Sequence, residues 1–409
     1  MKRVALFMLL AACTENRDAL TGTQSIEVEM VTPANPGTVN NRLDTERTIV
    51  VNLRAKDAAG NLDTSFNADI RIYAQYLGTL TPSLESMPIK TVAMTGGVAN
   101  NVSFDLLDTF GPTTVWFDNG TGLGPDYQYG EVSGTSPTLW YRDPFIRDLQ
   151  QPRDEAAVNA LSDSPLEDKQ VRVGGSRTPG TGVLVVTSVF AQGYTVSDVS
   201  CATGGAEPTP PCTAGNYDHV MVFTFSSPRD QYGRPIVEGE VIESFAGGVT
   251  EFNGLTEIGF PRTFISAPNR DVPPYVNRAL MPTPVPLFES TWFTGAAQIN
   301  FERHEAGAID IRNAKVCPLD DGPDGVYTKY KQWSIDPADV PPDVPPADDC
   351  GKSNQVINLI TAGTDFTTDP RTLVGKTLPK VIGIVRPVNI GSFNVWIVYP
   401  RGKDDLQTQ

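Results

Sequence analysis

From Ser25 onward, apolar and polar positions alternate in short runs broken by turn residues, and this period of two dominates the chain. SIEVEMV at 25–31 alternates, and TIVVNLRAK at 48–56 runs into the turn Ala58-Ala59-Gly60-Asn61. ADIRIYAQY sets Ile70 and Ile72 two apart, TGGVANNVSFDLL adds a turn and a strand, and TTVWFDNG places Val115 and Phe117 either side of Trp116. Short strands separated by glycine and asparagine turns predict a β-sandwich over residues 24–142.

A polar stretch over 143–165 follows and predicts a linker, with Asp154–Leu161 as a short helix. The remaining text repeats itself faintly. In a first copy VRVGG, GVLVVTSVFAQGYTVSD, DHVMVFTF and GEVIESFAGGVTEFNGLTEI follow one another; in a second, AIDIRNAKV, YKQWSIDP, NQVINLI and GKTLPKVIGIVRPVNIGSFNVWIVYP do so. Tyr194–Asp198 and Trp333–Asp336 occupy equivalent places, as do Gly239 and Gly375, each opening a final strand pair. Five strands in this rhythm fit a small Greek-key barrel of the OB type. The expected fold is therefore all-β: a sandwich, then barrels over 166–264 and 300–409, with 265–299 a linker or insertion.

Composition agrees, since 36 glycines and 34 prolines in 409 residues suit many turns and several domains. The start, MKRVALFMLLAAC, puts Lys2 and Arg3 before an apolar run too short to span a bilayer, which reads as a signal peptide over 1–12. Leu10-Ala11-Ala12-Cys13 resembles the lipobox of bacterial lipoproteins. That resemblance implies a lipid on Cys13, a tether over 13–23 and a membrane anchor. Thr14, where aspartate marks inner-membrane retention in enteric bacteria, implies the outer membrane, facing the periplasm or the cell surface.

Without Cys13, four of the five cysteines remain, an even number for an oxidising compartment. Three connectivities are possible, and pairing local in sequence is favoured, because Cys201 and Cys212 flank one turn-rich loop while Cys317 and Cys350 flank another. With no CxxC and only His219 and His304, a zinc site is disfavoured. The acidic stretches 320–325 and 336–349 lack the spacing of a dedicated calcium loop and read as solvated, with weak calcium binding left open. No cofactor is expected. A net charge of −16 opposes phosphate collection, and no run of lysine and arginine offsets it.

Two family resemblances remain. The strand, KDAAGN turn and strand order over 24–142 is similar to bacterial immunoglobulin-like repeats of surface proteins. EFNGLTEI at 251–258, with FAQGYTVSD upstream and ERHEAGAIDIRNAKV downstream, resembles the OB region that precedes the catalytic domain of secreted endonuclease/exonuclease/phosphatase-type nucleases. Phe252, Asn253, Gly254, Leu255, Thr256 and Ile258 match its first motif; Glu302, Glu305 and Ala306 echo its second, Ala306 standing for a glycine. Such nucleases continue where this chain stops at Gln409, so the resemblance implies the flanking region and no catalytic domain. His219 reads as a strand-edge or partly buried residue and His304 as a surface one; no GxSxG, HExxH or phosphate-binding glycine loop is present. Tyr194, Trp333 and Trp396 fall on barrel strands, either as exposed stacking platforms or as core. The expected function is a non-enzymatic envelope protein binding a protein or glycan partner. The alternative is an accessory to a separate nuclease on extracellular nucleic acid.

Overall fold

The computed structural model describes residues 22–44, 46–76, 88–121, 128, 130–155, 164–203, 208–265, 276–293, 299–338, 350, 355–390 and 393–408. The expected signal peptide, the expected lipid site Cys13 and most of the helix expected over Asp154–Leu161 lie outside them. The chain forms two compact units, 1–142 and 143–409, and among the described residues strand far outweighs helix.

The first unit holds β1 (Thr23–Thr32), β2 (Thr48–Asp57), β3 (Ala68–Tyr76), β4 (Lys90–Met94), β5 (Val98–Asp105), β6 (Pro112–Asp118), β7 (Ser133–Thr135) and β8 (Leu139–Trp140). They pair as a three-stranded sheet, β1-β2-β5, and a five-stranded one in which β4-β3-β6-β7 run in order and β8 also pairs with β6. The alternation does the work in β2, where Ile49, Val51, Leu53 and Ala55 are all fully buried. They meet Ile70, Ile72, Val115 and Phe117 of the other sheet in one core. The two sheets thus bury one face each.

In the second unit, α1 (Ile146–Gln150) comes first. The expected polar linker is instead partly a packed element, because Ile146 and Leu149, three apart, are both fully buried. Next come β9 (Gln170–Val173), β10 (Gly182–Phe190), β11 (Gly193–Thr203), β12 (Thr209–Thr213), β13 (His219–Phe223), β14 (Val241–Phe252) and β15 (Leu255–Ile265). β10-β11-β13-β15-β14 run in order, and β14 returns to β10 through Leu184 opposite Ile242 and Val185 opposite Val241, closing a five-stranded barrel. Its one parallel pairing joins β13 to β15.

The chain continues through β16 (Val285–Leu287), α2 (Glu289–Trp292), α3 (Ile299–Arg303), β17 (Ala308–Val316), α4 (Val326–Tyr330), β18 (Gln332–Asp336), β19 (Ile357–Ile360), β20 (Thr377–Ile390), β21 (Phe393–Tyr399) and β22 (Leu406–Gln407). β17-β18-β19-β21-β20 again run in order, β20 closes on β17, and the parallel pairing falls on β19 and β21. The two barrels therefore share one strand order, as the repeated text predicts. Gly239 and Gly375 do stand in equivalent places, each with φ near +80° (79° and 76°) just before the fourth barrel strand. The expected boundary at 300 moves: β16 pairs with β17, and Leu287 and Trp292 belong to the second barrel's core, so part of 265–299 is barrel structure.

Disulfides join Cys201 to Cys212 and Cys317 to Cys350, 11 and 33 residues apart. In the loop-entropy model each stabilises by about 3 to 4 kcal/mol. Asp321 and Asp324 of the acidic loop meet Arg371 and Lys329, and the Asp320 carboxylate accepts from Val326 N–H at the start of α4, so these carboxylates carry local structure.

Candidate functional site

The EFNGLTEI segment forms the tip of the first barrel. Asn253 and Gly254 both take positive φ (54° and 82°), and Phe252 pairs with Leu255 across them, a tight hairpin turn of the kind Asn-Gly favours. The second motif then meets the first. Thr256 N–H donates to Glu305 at 3.0 Å, and the Thr256 hydroxyl donates to Glu251 at 2.6 Å. Burial raises the Glu305 carboxyl well above its ordinary range, helped by the charges of Glu302 and Glu251. Ala306, fully buried, takes φ of 58°, the left-handed region that a glycine would occupy at less cost.

Beside this tip a cavity of about 960 Å³ opens between the two barrels, a size suited to a small ligand or a few residues of a chain. One wall is the β10/β11 turn with Phe190 and Gln192, the β14/β15 tip with Phe252 and Asn253, and the strand residues Met221, Phe223 and Glu257. The other wall is Arg386, Pro387 and Val388 of β20 with Tyr399 of β21. At the rim, Phe225, Phe252 and Phe260 are 53%, 63% and 83% exposed, so three apolar rings face water together at one site. Phe225 and Phe260 also have positive φ, 59° and 49°, with ring centroids 4.7 Å apart. Bulky residues in that region store strain of about 1 kcal/mol or more each, and such strain concentrates at functional sites.

Two ionisable groups sit deeper. Burial pushes the Glu257 carboxyl up to about 7 against the opposing pull of Arg386. The Arg386 guanidinium lies over the ring faces of Phe190 and Tyr399, at 3.9 and 4.7 Å from their centroids. Its Nε and Nη2 are shut off from water and have no hydrogen-bond partner among the described residues. Asp168 and Glu251 also line the cleft, so it holds three carboxyl groups and one guanidinium.

The expected aromatic platforms are not at this site. Tyr194 is fully buried with its hydroxyl on Thr263, Trp333 is buried in the second core, and Trp396 stacks on Phe301 at 5.3 Å. All three face inward on closed barrels, which fill their interiors with large side chains. The histidines are buried too. His219 shares a 2.6 Å hydrogen bond between its Nδ1 and Ser197 and is held down to about 3, by burial first and then the charge of His304. His304, expected on the surface, stacks on Trp292 at 5.3 Å, and burial, then Arg303, holds it down to about 4. Both are neutral at pH 7, and neither lines the cleft. The cleft aromatics had a faint signature: Phe225 stands just before the proline-containing bend FSSP, and Phe260 immediately before Pro261 inside β15, opposite a register shift of the β14 pairing.

Among the described residues no three His, Cys, Asp or Glu side chains gather as a metal group. The chain matches no family model, no curated protein and no solved structure.

Proposed function

We propose that this is a non-enzymatic, lipid-anchored protein of the cell envelope, in which an immunoglobulin-like spacer over 24–142 accompanies two OB-type barrels that bind a protein or glycan partner. The observation that carries the binding role is the cleft between the barrels with its rim of exposed, strained phenylalanines. Its position supports the OB reading. OB barrels bind along the second and third strands, between the loop joining strands one and two and the loop joining four and five. Here those are the turn after Phe190 and the Asn253-Gly254 turn, and both line the cleft. The anchor rests on the apolar run ending Leu-Ala-Ala-Cys at Cys13.

An accessory role on nucleic acid is the competing reading, and charge opposes it. A net −16 and three carboxyl groups in the cleft repel a phosphate backbone. Purified protein mixed with plasmid or single-stranded DNA, with magnesium, manganese or calcium, is expected to leave the DNA intact. Any binding seen at low salt should vanish near physiological salt. Cleavage that co-purifies with the chain, or retention of single-stranded DNA at 150 mM salt that a cleft substitution abolishes, contradicts the proposal.

A further inference from the structure

We propose that the cleft receives the carboxyl end of an extended, apolar polypeptide segment of the partner, with its terminal carboxylate on Arg386 and its last side chain beside Phe190, Met221 and Phe223. This rests on the reading of the cleft as the binding site and specifies what fills it.

The guanidinium is the first ground. Two of its nitrogens lie dry and, among the described residues, unpartnered, and a buried donor left unpaired is costly. Its planar fork matches the two oxygens of a carboxylate, and the ring faces of Phe190 and Tyr399 hold it in place for that contact. The neighbouring acids set the limit on charge. With Asp168, Glu251 and Glu257 in the same cleft, a ligand with one negative group at Arg386 is accepted and a polyanion is repelled.

The remaining surface separates a peptide from a simple fatty acid. Gln170, Gln192, Thr250 and Asn253 line the cleft and offer both donors and acceptors. A peptide backbone satisfies both kinds of group, whereas a hydrocarbon tail leaves them facing carbon. Gly248 and Gly259 leave two stretches of the wall without side chains, where a backbone can lie close.

Acidity modulates the site in a direction that follows from Glu257. The charged and titratable groups lining the cleft with it are Arg386, Tyr399, Glu251 and Asp168, and of these Arg386 acts on its carboxyl. Below about pH 7 Glu257 is neutral and leaves Arg386 to the ligand; above it, the Glu257 carboxylate competes for the guanidinium and repels the incoming one. Affinity therefore falls as pH rises through 7.

The test is fluorescence anisotropy of the full chain with a dye-labelled peptide, Ala-Val-Leu-Phe, as the free acid and as the carboxamide. The acid is expected to bind about tenfold or more tightly than the amide, the range of a charge-assisted hydrogen-bonded pair. Arg386→Gln should erase that difference, Arg386→Lys should restore only part of it, and the acid should weaken from pH 6 to pH 8 in the wild type but not in Glu257→Gln. Equal binding of acid and amide overturns the carboxylate assignment and leaves the cleft standing as the site. Decanoate displacing the peptide acid at equal or lower concentration overturns the choice of a polypeptide. If neither peptide nor a neutral apolar probe binds, the cleft itself is not the site.

Discussion

Phe301→Ala is expected to lower the unfolding free energy of the second unit by about 3 to 5 kcal/mol, the range for emptying a large aromatic from a packed core. Phe301 is fully buried and joins elements distant in sequence. Its ring stacks on Trp396 at 5.3 Å and 16°, and meets Trp292 at 5.0 Å and Phe293 at 5.2 Å edge to face. Removing it takes away three aromatic contacts and leaves a hole bounded by two tryptophans, which are too large to swing in without leaving their own places. Phe301→Leu fills part of the volume and should lose clearly less. Urea unfolding followed by tryptophan fluorescence measures both; a loss below 1 kcal/mol for the alanine variant would mean that α3 is not docked as described.

Asp218→Ala should be comparably damaging for an electrostatic reason. The Asp218 carboxylate is fully buried and accepts from Arg177 through Nε at 2.8 Å and Nη2 at 2.6 Å, from Arg147 at 3.3 Å and from Gly215 N–H at 2.8 Å. Burial alone would raise its pKa, but the hydrogen bonds from Arg177 and Gly215 and the two arginine charges hold it below the ordinary value of 3.8. A group whose pKa is lowered on folding contributes stability above its unfolded pKa and loses it as pH falls through the folded one. At pH 7 the alanine variant leaves two part-buried arginines without their shared partner, a loss of about 3 to 5 kcal/mol. Toward pH 3 the wild type itself starts to lose the contribution, so the gap between the two proteins should narrow. A gap independent of pH between 7 and 3 points to packing and not to the charge network.

How far the sequence could be read differed between strands and surfaces. Alternation alone located β2, β3 and β6, because one buried face per strand leaves a period of two in the text. The barrel repeat was legible through matched places such as Gly239 and Gly375, which keep the same left-handed backbone. The helix α1 was missed because its apolar pair, Ile146 and Leu149, spans a single turn, too short to show periodicity. Tyr194, Trp333 and Trp396 could not be assigned to core or surface, since each stands in a run of consecutive buried residues, Gly193–Val199 of β11, Gln332–Trp333 of β18 and Trp396–Val398 of β21, where no alternation distinguishes the two faces. His304 was misplaced because its burial depends on Trp292, twelve residues earlier, and the intervening chain does not announce that they stack. The cleft was the least legible of all. Glu257 and Arg386 are 129 positions apart by their numbers and lie together only because two barrels pack side against side.

If the cleft is the binding site, as proposed, its exposed phenylalanines hold the ligand. Titrating a neutral apolar fluorophore, N-phenyl-1-naphthylamine, into the wild type and the double variant Phe225→Asn, Phe260→Asn tests it most directly. Asparagine tolerates positive φ, so the variant keeps the backbone and loses the rings. The predicted result is saturable one-to-one binding in the wild type, weakened about tenfold or more in the variant, with an unfolding free energy within about 1 kcal/mol of the wild type. Equal fluorophore affinity in the two proteins, or no saturable binding in either, would mean that the phenylalanine-rimmed cleft is not the binding site.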